Sequence, residues 1–286
     1  MTKFDSDKVK AIATLLEDPS EDIQHLMEAQ LVKFTMPELR DLREKISKLN
    51  LDMAFHLDDL LQQKTLATYV NELEHLASSG KHDLETLVCF ISRFIENDLT
   101  DEMILLELEQ LAAKCKEYIL KSVGSTPEVA LIEYLGQLCR FRGNDKNYYA
   151  VGNSSVHCLL KTKKGLPITL SVLYVLIGRR VGINISGVAL PGHFIAGVEK
   201  DGENTLYLDP YNRGKIMTRE ECKSLVRRSG YPFSSDMLDS VDSKAIFFRI
   251  LNNLKFVFQR EGKEEEEQAI DAMIRIWTDR VFRHVF

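Results

Sequence analysis

His193 and Asp209 are the residues of this sequence whose types and spacing most directly suggest chemistry. A histidine oriented by a carboxylate keeps one ring nitrogen ready to take a proton, which is the base half of nucleophilic catalysis. The other half is a thiol ionised near neutral pH, and a helix N-terminus lowers a thiol pKa toward that range. The helix nearest in sequence, over "GLPITLSVLYVLIGRRVG", begins at Pro167. Proline has no ionisable group and no amide hydrogen for an oxyanion hole, so that chemistry cannot occur at Pro167. Cys158, on a short helical stretch just upstream, is the alternative nucleophile, although a cysteine among apolar neighbours reads first as a small core residue. The hydroxyls of Thr169 and Ser171 are expected to bond to carbonyls of the preceding helical turn. His157, Cys158, His193 and Asp209 have no spacing that fits a metal site, and no metal is expected.

Several elements must position these groups. Alternation and turn signals predict strands at 186–190, 193–199 and 205–208, with Asp201-Gly202 as the turn between the last two. Register then decides whether His193 can meet Asp209. With a two- or four-residue turn the two side chains point to opposite faces. With an odd-length loop or one bulge they share a face as diagonal neighbours, roughly 7–8 Å apart at the backbone. The Pro167 helix is apolar nearly all round and ends at Gly182, so it should be buried on most faces. Asn153 is a candidate cap for a short helix through Leu160, and a His193–Asp209 pair with Asn153 nearby could pin the helix to the sheet. Tyr148 and Tyr149, just before it, either line the same pocket or enter the core.

Away from this stretch the chain is helical. Residues 1 to about 145 carry apolar stripes at helical spacing, such as Val9, Ile12, Leu15 and Leu16, then Leu39, Leu42, Ile46 and Leu49, then Leu84, Leu87, Val88, Ile91 and Ile95. A long helix is predicted over 101–120, and another from Pro127 toward Arg142. The Gly143 to Asn147 turn cluster suggests a seam. After Asp209-Pro210, Thr218 and Glu221 form a capping box, and residues 243–261 and 264–278 form a helical hairpin around Gly262. The chain has 286 residues, 44% of them hydrophobic and 28% charged, with net charge −6. That balance argues against a general nucleic-acid binder, which needs clustered Lys and Arg. The five cysteines include no CxxC pair, the N-terminus is too polar for a signal peptide, and the longest apolar run spans about ten residues, so a reducing cytoplasm and no membrane span are expected.

The runs "GLPITLSVLYVLIGRRVGINISGV", "PGHFIAGV" and "GENTLYLDPYN" resemble the transglutaminase-like core. In that superfamily a Gly, one residue and the nucleophilic Cys open an apolar helix. A Gly-Ile-like step and the catalytic His strand follow, and Asp-Pro ends the next strand. By that resemblance Gly165 matches the Gly, Gly182-Ile183 the step, His193 the His and Asp209-Pro210 the Asp-Pro, while the Cys position falls on Pro167. The motifs Asn153-Ser154, Gly165 to Leu170 and Pro191 to Phe194 are similar to the bacterial SirB-type branch, and "RILNNLKFVFQREGKEEEEQAIDAMIRIW" resembles its tetratricopeptide-like pair.

The resemblance implies a predominantly helical α+β protein. It would have a helical N-terminal domain over 1–145, a papain-like transglutaminase core over 146–217 and a helical C-terminal region over 218–286. The expected function is that of a non-catalytic binding or regulatory protein of the bacterial cytoplasm. Its ligand pocket would draw on Tyr148, Asn153, Pro167, His193 and Asp209, and its helical regions would meet a protein partner. The alternative is a cysteine hydrolase or acyl-transferase using Cys158 with His193 and Asp209. No cofactor is expected. The tail Trp277, Val281, Phe282, Val285 and Phe286 is expected to pack intramolecularly or at a homodimer contact.

Overall fold

The computed structural model describes residues 4–49, 51–200 and 204–282. Asp201-Gly202, expected as the hairpin turn, and Val285 and Phe286 of the apolar tail lie outside them. The chain forms two compact units, residues 1–72 and 73–286. The turn at 143–147, expected as a seam, lies inside the second unit.

The first unit contains α1 (Ser6–Leu16), α2 (Glu21–Leu31), α3 (Met36–Ser47) and the start of α4 (Leu51–Ser79). Asp5 caps α1, and Thr35 with Glu38 makes a capping box on α3. Val9, Leu39, Leu42 and Ile46 are buried in one cluster with Phe4, Leu31 and Leu57. Leu49, read as part of the same stripe, is exposed because α3 stops at Ser47.

In the second unit, α5 (Leu84–Ile95), α6 (Asp101–Lys121) and α7 (Pro127–Ile132) precede the sheet. The helix predicted toward Arg142 is shorter than expected. It widens into a π-helical turn at Glu133–Leu138, and Arg142–Gly143 then forms a short strand, β1. That strand pairs in parallel with β2 (Lys164–Gly165), and Asn144 N donates to the Gly165 carbonyl just beyond the pairing. Between them lies α8 (Val156–Thr162), and α9 (Pro167–Arg180) follows. The strands β3 (Ile185–Leu190), β4 (His193–Lys200), β5 (Asn204–Asp209), β6 (Lys215–Met217) and β7 (Ser240–Val241) form an antiparallel sheet in the order β6-β5-β4-β3-β7 among the described residues. Neither β6 nor β7 was legible as a strand, because two or three residues carry no periodicity.

The sheet is packed on both faces. On one lies α9, every residue of it from Pro167 to Gly178 buried. Gly178 allows this close approach, since a Cβ there would stand 2.5 Å from Ile185. On the other face Val188, Ile195 and Tyr207 meet Cys222 and Val226 of α10 (Arg219–Arg228). Thr218 and Glu221 form the expected capping box on α10. The hairpin of α11 (Ser243–Glu261) and α12 (Glu264–Trp277) turns at Gly262, whose φ of +68° suits glycine. Its apolar face packs against α5: the rings of Phe90 and Phe247 lie 6.0 Å apart, and those of Phe247 and Trp277 4.5 Å apart. Trp277 and Val281 are thus buried within the unit, while Phe256 is exposed and leans on Tyr149.

Gly136, in the π-helical turn, lies where a Cβ would stand 2.1 Å from the Arg213 carbonyl oxygen. Gly136→Ala must therefore displace the segment that follows Asp209. It is expected to lower unfolding stability by about 3 kcal/mol, read from urea denaturation; an unchanged midpoint would show that the two backbones are not locked together.

Candidate functional site

Lys200 pairs with Asn204, which leaves three residues between the β4 and β5 ladders. An odd loop puts His193 and Asp209 on one face, with Asp209 diagonal to His193 across the pairing. The His193 Nε2 lies 3.0 Å from Asp209 Oδ1. Asn212 Nδ2 donates to Asp209 Oδ2 at 2.7 Å. The Asp209 side chain is 4% exposed. Burial alone would raise its pKa, but the bonds from His193 and Asn212 outweigh burial and hold it below the ordinary carboxylate value. An ionised carboxylate only accepts, so Nε2 carries the hydrogen and donates to Asp209. The Tyr211 ring stands edge-on to His193 at 6.0 Å, and its hydroxyl donates to Asp145 at 2.7 Å. Arg249 Nη2 donates to the carbonyls of His193 and Leu190 at 2.9 and 2.8 Å, fixing the turn from which β4 starts.

The first turn of α9 is joined to this strand. Ser171 Oγ donates across to the Phe194 carbonyl at 3.2 Å rather than to the preceding turn as expected. Thr169 Oγ1 has no hydrogen-bond partner among the described residues. The carbonyl of the preceding turn, at Gly165, already accepts from Asn144 N. Pro167 holds the first helical position and is buried. Asn153 does not cap α8; Ser155 does, accepting from Cys158 N at 3.1 Å. The Asn153 amide instead donates to the carbonyls of Asn147 and Tyr148 at 2.6 and 2.8 Å and accepts from Asn144, so it pins the 144–148 turn. Tyr148 and Tyr149 are half-exposed rather than core residues. With Asp145, Arg260 and Glu261 they line a cavity of about 440 Å³. Arg260 lies 4.2 Å above the Tyr149 ring.

Cys158 belongs to a different cluster. Its Sγ donates to Glu96 Oε2 at 3.1 Å, and the same carboxylate accepts from Ser155 Oγ and faces His157 Nδ1 at 3.0 Å. Burial, then the hydrogen bond to Glu96 and its charge, push the Cys158 thiol up to about 11. His157 thus bridges toward Glu96 and, at 3.8 Å, Glu107, and no group of His, Cys, Asp or Glu among the described residues is arranged to hold a metal. Sequence reasoning missed Glu96, just past α5, which reaches Cys158, and Arg249 on α11, which reaches the His193 carbonyl; neither carries a local signal. Asn212 was readable in principle: in Asp-Pro-Tyr-Asn the first side chain accepts from the backbone three residues on.

A buried apolar helix packed on an antiparallel sheet, with a His–Asp pair on adjacent strands, makes the core of this unit an α+β fold. The sequence model of the transglutaminase-like superfamily matches residues 102–252, and the chain belongs to that superfamily. It is 30% identical over 189 residues to a UPF0162 protein of Xylella fastidiosa, covering 64% of this chain and 66% of that one. It is 30% identical over 161 residues to a UPF0162 protein of Vibrio cholerae, covering 54% and 59%. It is also 29% identical over 153 residues to human F-box only protein 21, covering 50% of this chain and 24% of that one. The chain therefore spans about a quarter of the F-box protein and less than two thirds of the Vibrio cholerae protein. No solved structure matches it.

The depressed Asp209 pKa sets a pH dependence. A carboxyl held below its unfolded value contributes stability that is present above about pH 4 and lost as the pH falls toward the folded value. Asp209→Asn is expected to cost about 2 kcal/mol at pH 7, with the gap to wild type closing below about pH 4, measured by urea unfolding across pH. Parallel profiles for the two proteins would show that the carboxylate charge is not what holds His193 and Asn212.

Proposed function

We propose that this chain is a non-catalytic binding or regulatory protein built on a transglutaminase-like core. In this reading the nucleophile position is occupied by Pro167, the SirB-type motifs mark its branch, and the α11–α12 hairpin is the tetratricopeptide-like element. One observation carries the proposal. The base and its carboxylate are in place, yet the imidazole Nδ1 meets no thiol or hydroxyl among the described residues, while Cys158 donates its proton to Glu96. A thiol pushed up to about 11 is almost wholly protonated at neutral pH and is a poor nucleophile.

The His193–Asp209 pair then serves the fold by satisfying two buried groups and holding the start of β4 against the end of β5. The helical regions are the proposed surface for a protein partner. The occurrence of a similar segment within F-box only protein 21, a protein about four times as long as the matched segment, supports a portable module joined to other domains. The five cysteines are free thiols, which supports a reducing cytosolic setting. The competing reading is a cysteine hydrolase or acyl-transferase that uses Cys158 with His193 and Asp209. It would require Cys158 to leave Glu96.

Iodoacetamide at pH 7, with peptides resolved by mass spectrometry, separates the two. Cys158 is expected to react more slowly than a free thiol, and Glu96→Gln to speed it severalfold by removing the carboxylate charge. His193→Ala is expected to leave that rate unchanged and to lower the melting temperature by about 5 °C. Rapid labelling of Cys158 that disappears in His193→Ala would overturn the non-catalytic reading.

A further inference from the structure

The buried start of α9 leaves donors without acceptors. Pro167 has no amide hydrogen, but Ile168 and Thr169 do, and neither N–H meets an acceptor among the described residues. Leu166, the N-cap residue, has no side-chain oxygen to supply one. Buried N–H groups of this kind keep their desolvation cost, and the helix end carries about half a positive charge. A second observation points the same way. The Thr169 hydroxyl is 1% exposed and unpartnered. Side chains on a helix tilt toward its N-terminus, which aims this hydroxyl at the same corner. Ser154, 2% exposed and also unpartnered, is the neighbour of Asn153, whose carbonyl receives the Leu166 N–H just ahead of α9.

A full positive charge sits on α11, which packs on the same 151–154 turn as α9. Arg249, on α11, holds two carbonyls, and no carboxylate faces its guanidinium among the described residues. Asp209 is committed to His193 and Asn212. The elements are neighbours: Ser171 ties α9 to Phe194, Arg249 grips the adjacent His193 carbonyl, and the 151–154 turn packs on both α9 and α11. Every unmet group in this corner can donate. One guanidinium balances one negative charge, and the cost of burying an ion rises steeply with its charge, so a monoanion fits better than a dianionic phosphate.

We propose that the first turn of α9, with Thr169, Ser154 and Arg249, receives the carboxylate of a bound ligand. This rests on reading the chain as a binding protein rather than a catalyst. The probe is N-acetylglycine, titrated against the melting temperature of the full chain at pH 7 and constant ionic strength. A saturable rise of a few degrees is expected at about tenfold excess over its Kd. N-acetylglycinamide and inorganic phosphate are expected to produce none. Thr169→Val is expected to abolish the rise while melting, without ligand, at or above wild type, because a buried unpaired hydroxyl is removed. Thr169→Ser should keep the rise. No saturable rise in wild type, an equal rise with the amide or with phosphate, or a full rise in Thr169→Val would each overturn the assignment. Failure here would leave the Cys158 labelling result untouched, and fast His193-dependent labelling would not produce or remove the carboxylate response.

Discussion

A carboxylate taken out of water stays ionised only if enough donors reach it, and that constraint at Asp209 organises the second unit. Its donors are His193 from the neighbouring strand and Asn212 from the turn that follows. For His193 to reach it, the β4–β5 ladder must hold a three-residue connection, and the Pro191-Gly192 turn must start β4 at the right residue. For Asn212 to reach it, the chain must turn sharply after Pro210. That turn in turn needs Arg213 and Gly214 at positive φ, seated against Gly136. A short polar network thus links the sheet, the 210–214 turn and the π-helical turn.

The second organising element is α9. It is buried on all sides, so it cannot shift without breaking the packing on both the sheet and the helical layer. Proline at its first position is comfortable for the backbone, since the missing N–H would be an unmet donor anyway. The same residue has no ionisable group to offer at the start of the helix. The arrangement is therefore mechanically well determined, and Cys158 lies in a separate cluster around Glu96.

Much of the helical frame was legible because it rests on periodicity and caps. The helices at 84–95, 101–121, 219–228 and 243–261 follow from apolar stripes, the Thr218 capping box and the Gly262 stop. Local reasoning failed where a side chain found a distant partner better than its nearest one. Asn153 lost the α8 cap to Ser155 because its amide meets the carbonyls of the 144–148 turn. Ser171 reached across to Phe194 because the strand edge lies within one hydroxyl of the helix. The α7 helix widened at Glu133 within a run that sequence alone reads as one uninterrupted helix.

By itself the sequence determined the residue inventory of the site: a histidine and an aspartate on successive strands, a proline at the head of a buried helix, and an order of motifs that places the chain among transglutaminase-like proteins. It could do so because strand alternation, helix periodicity and proline chemistry act over a few residues. Only the tertiary structure decided which groups meet. The approach of Glu96 to Cys158 and of Arg249 to His193 depends on contacts between segments about 60 residues apart. Such contacts are selected by the packing of whole helices and sheets, and no local pattern encodes them.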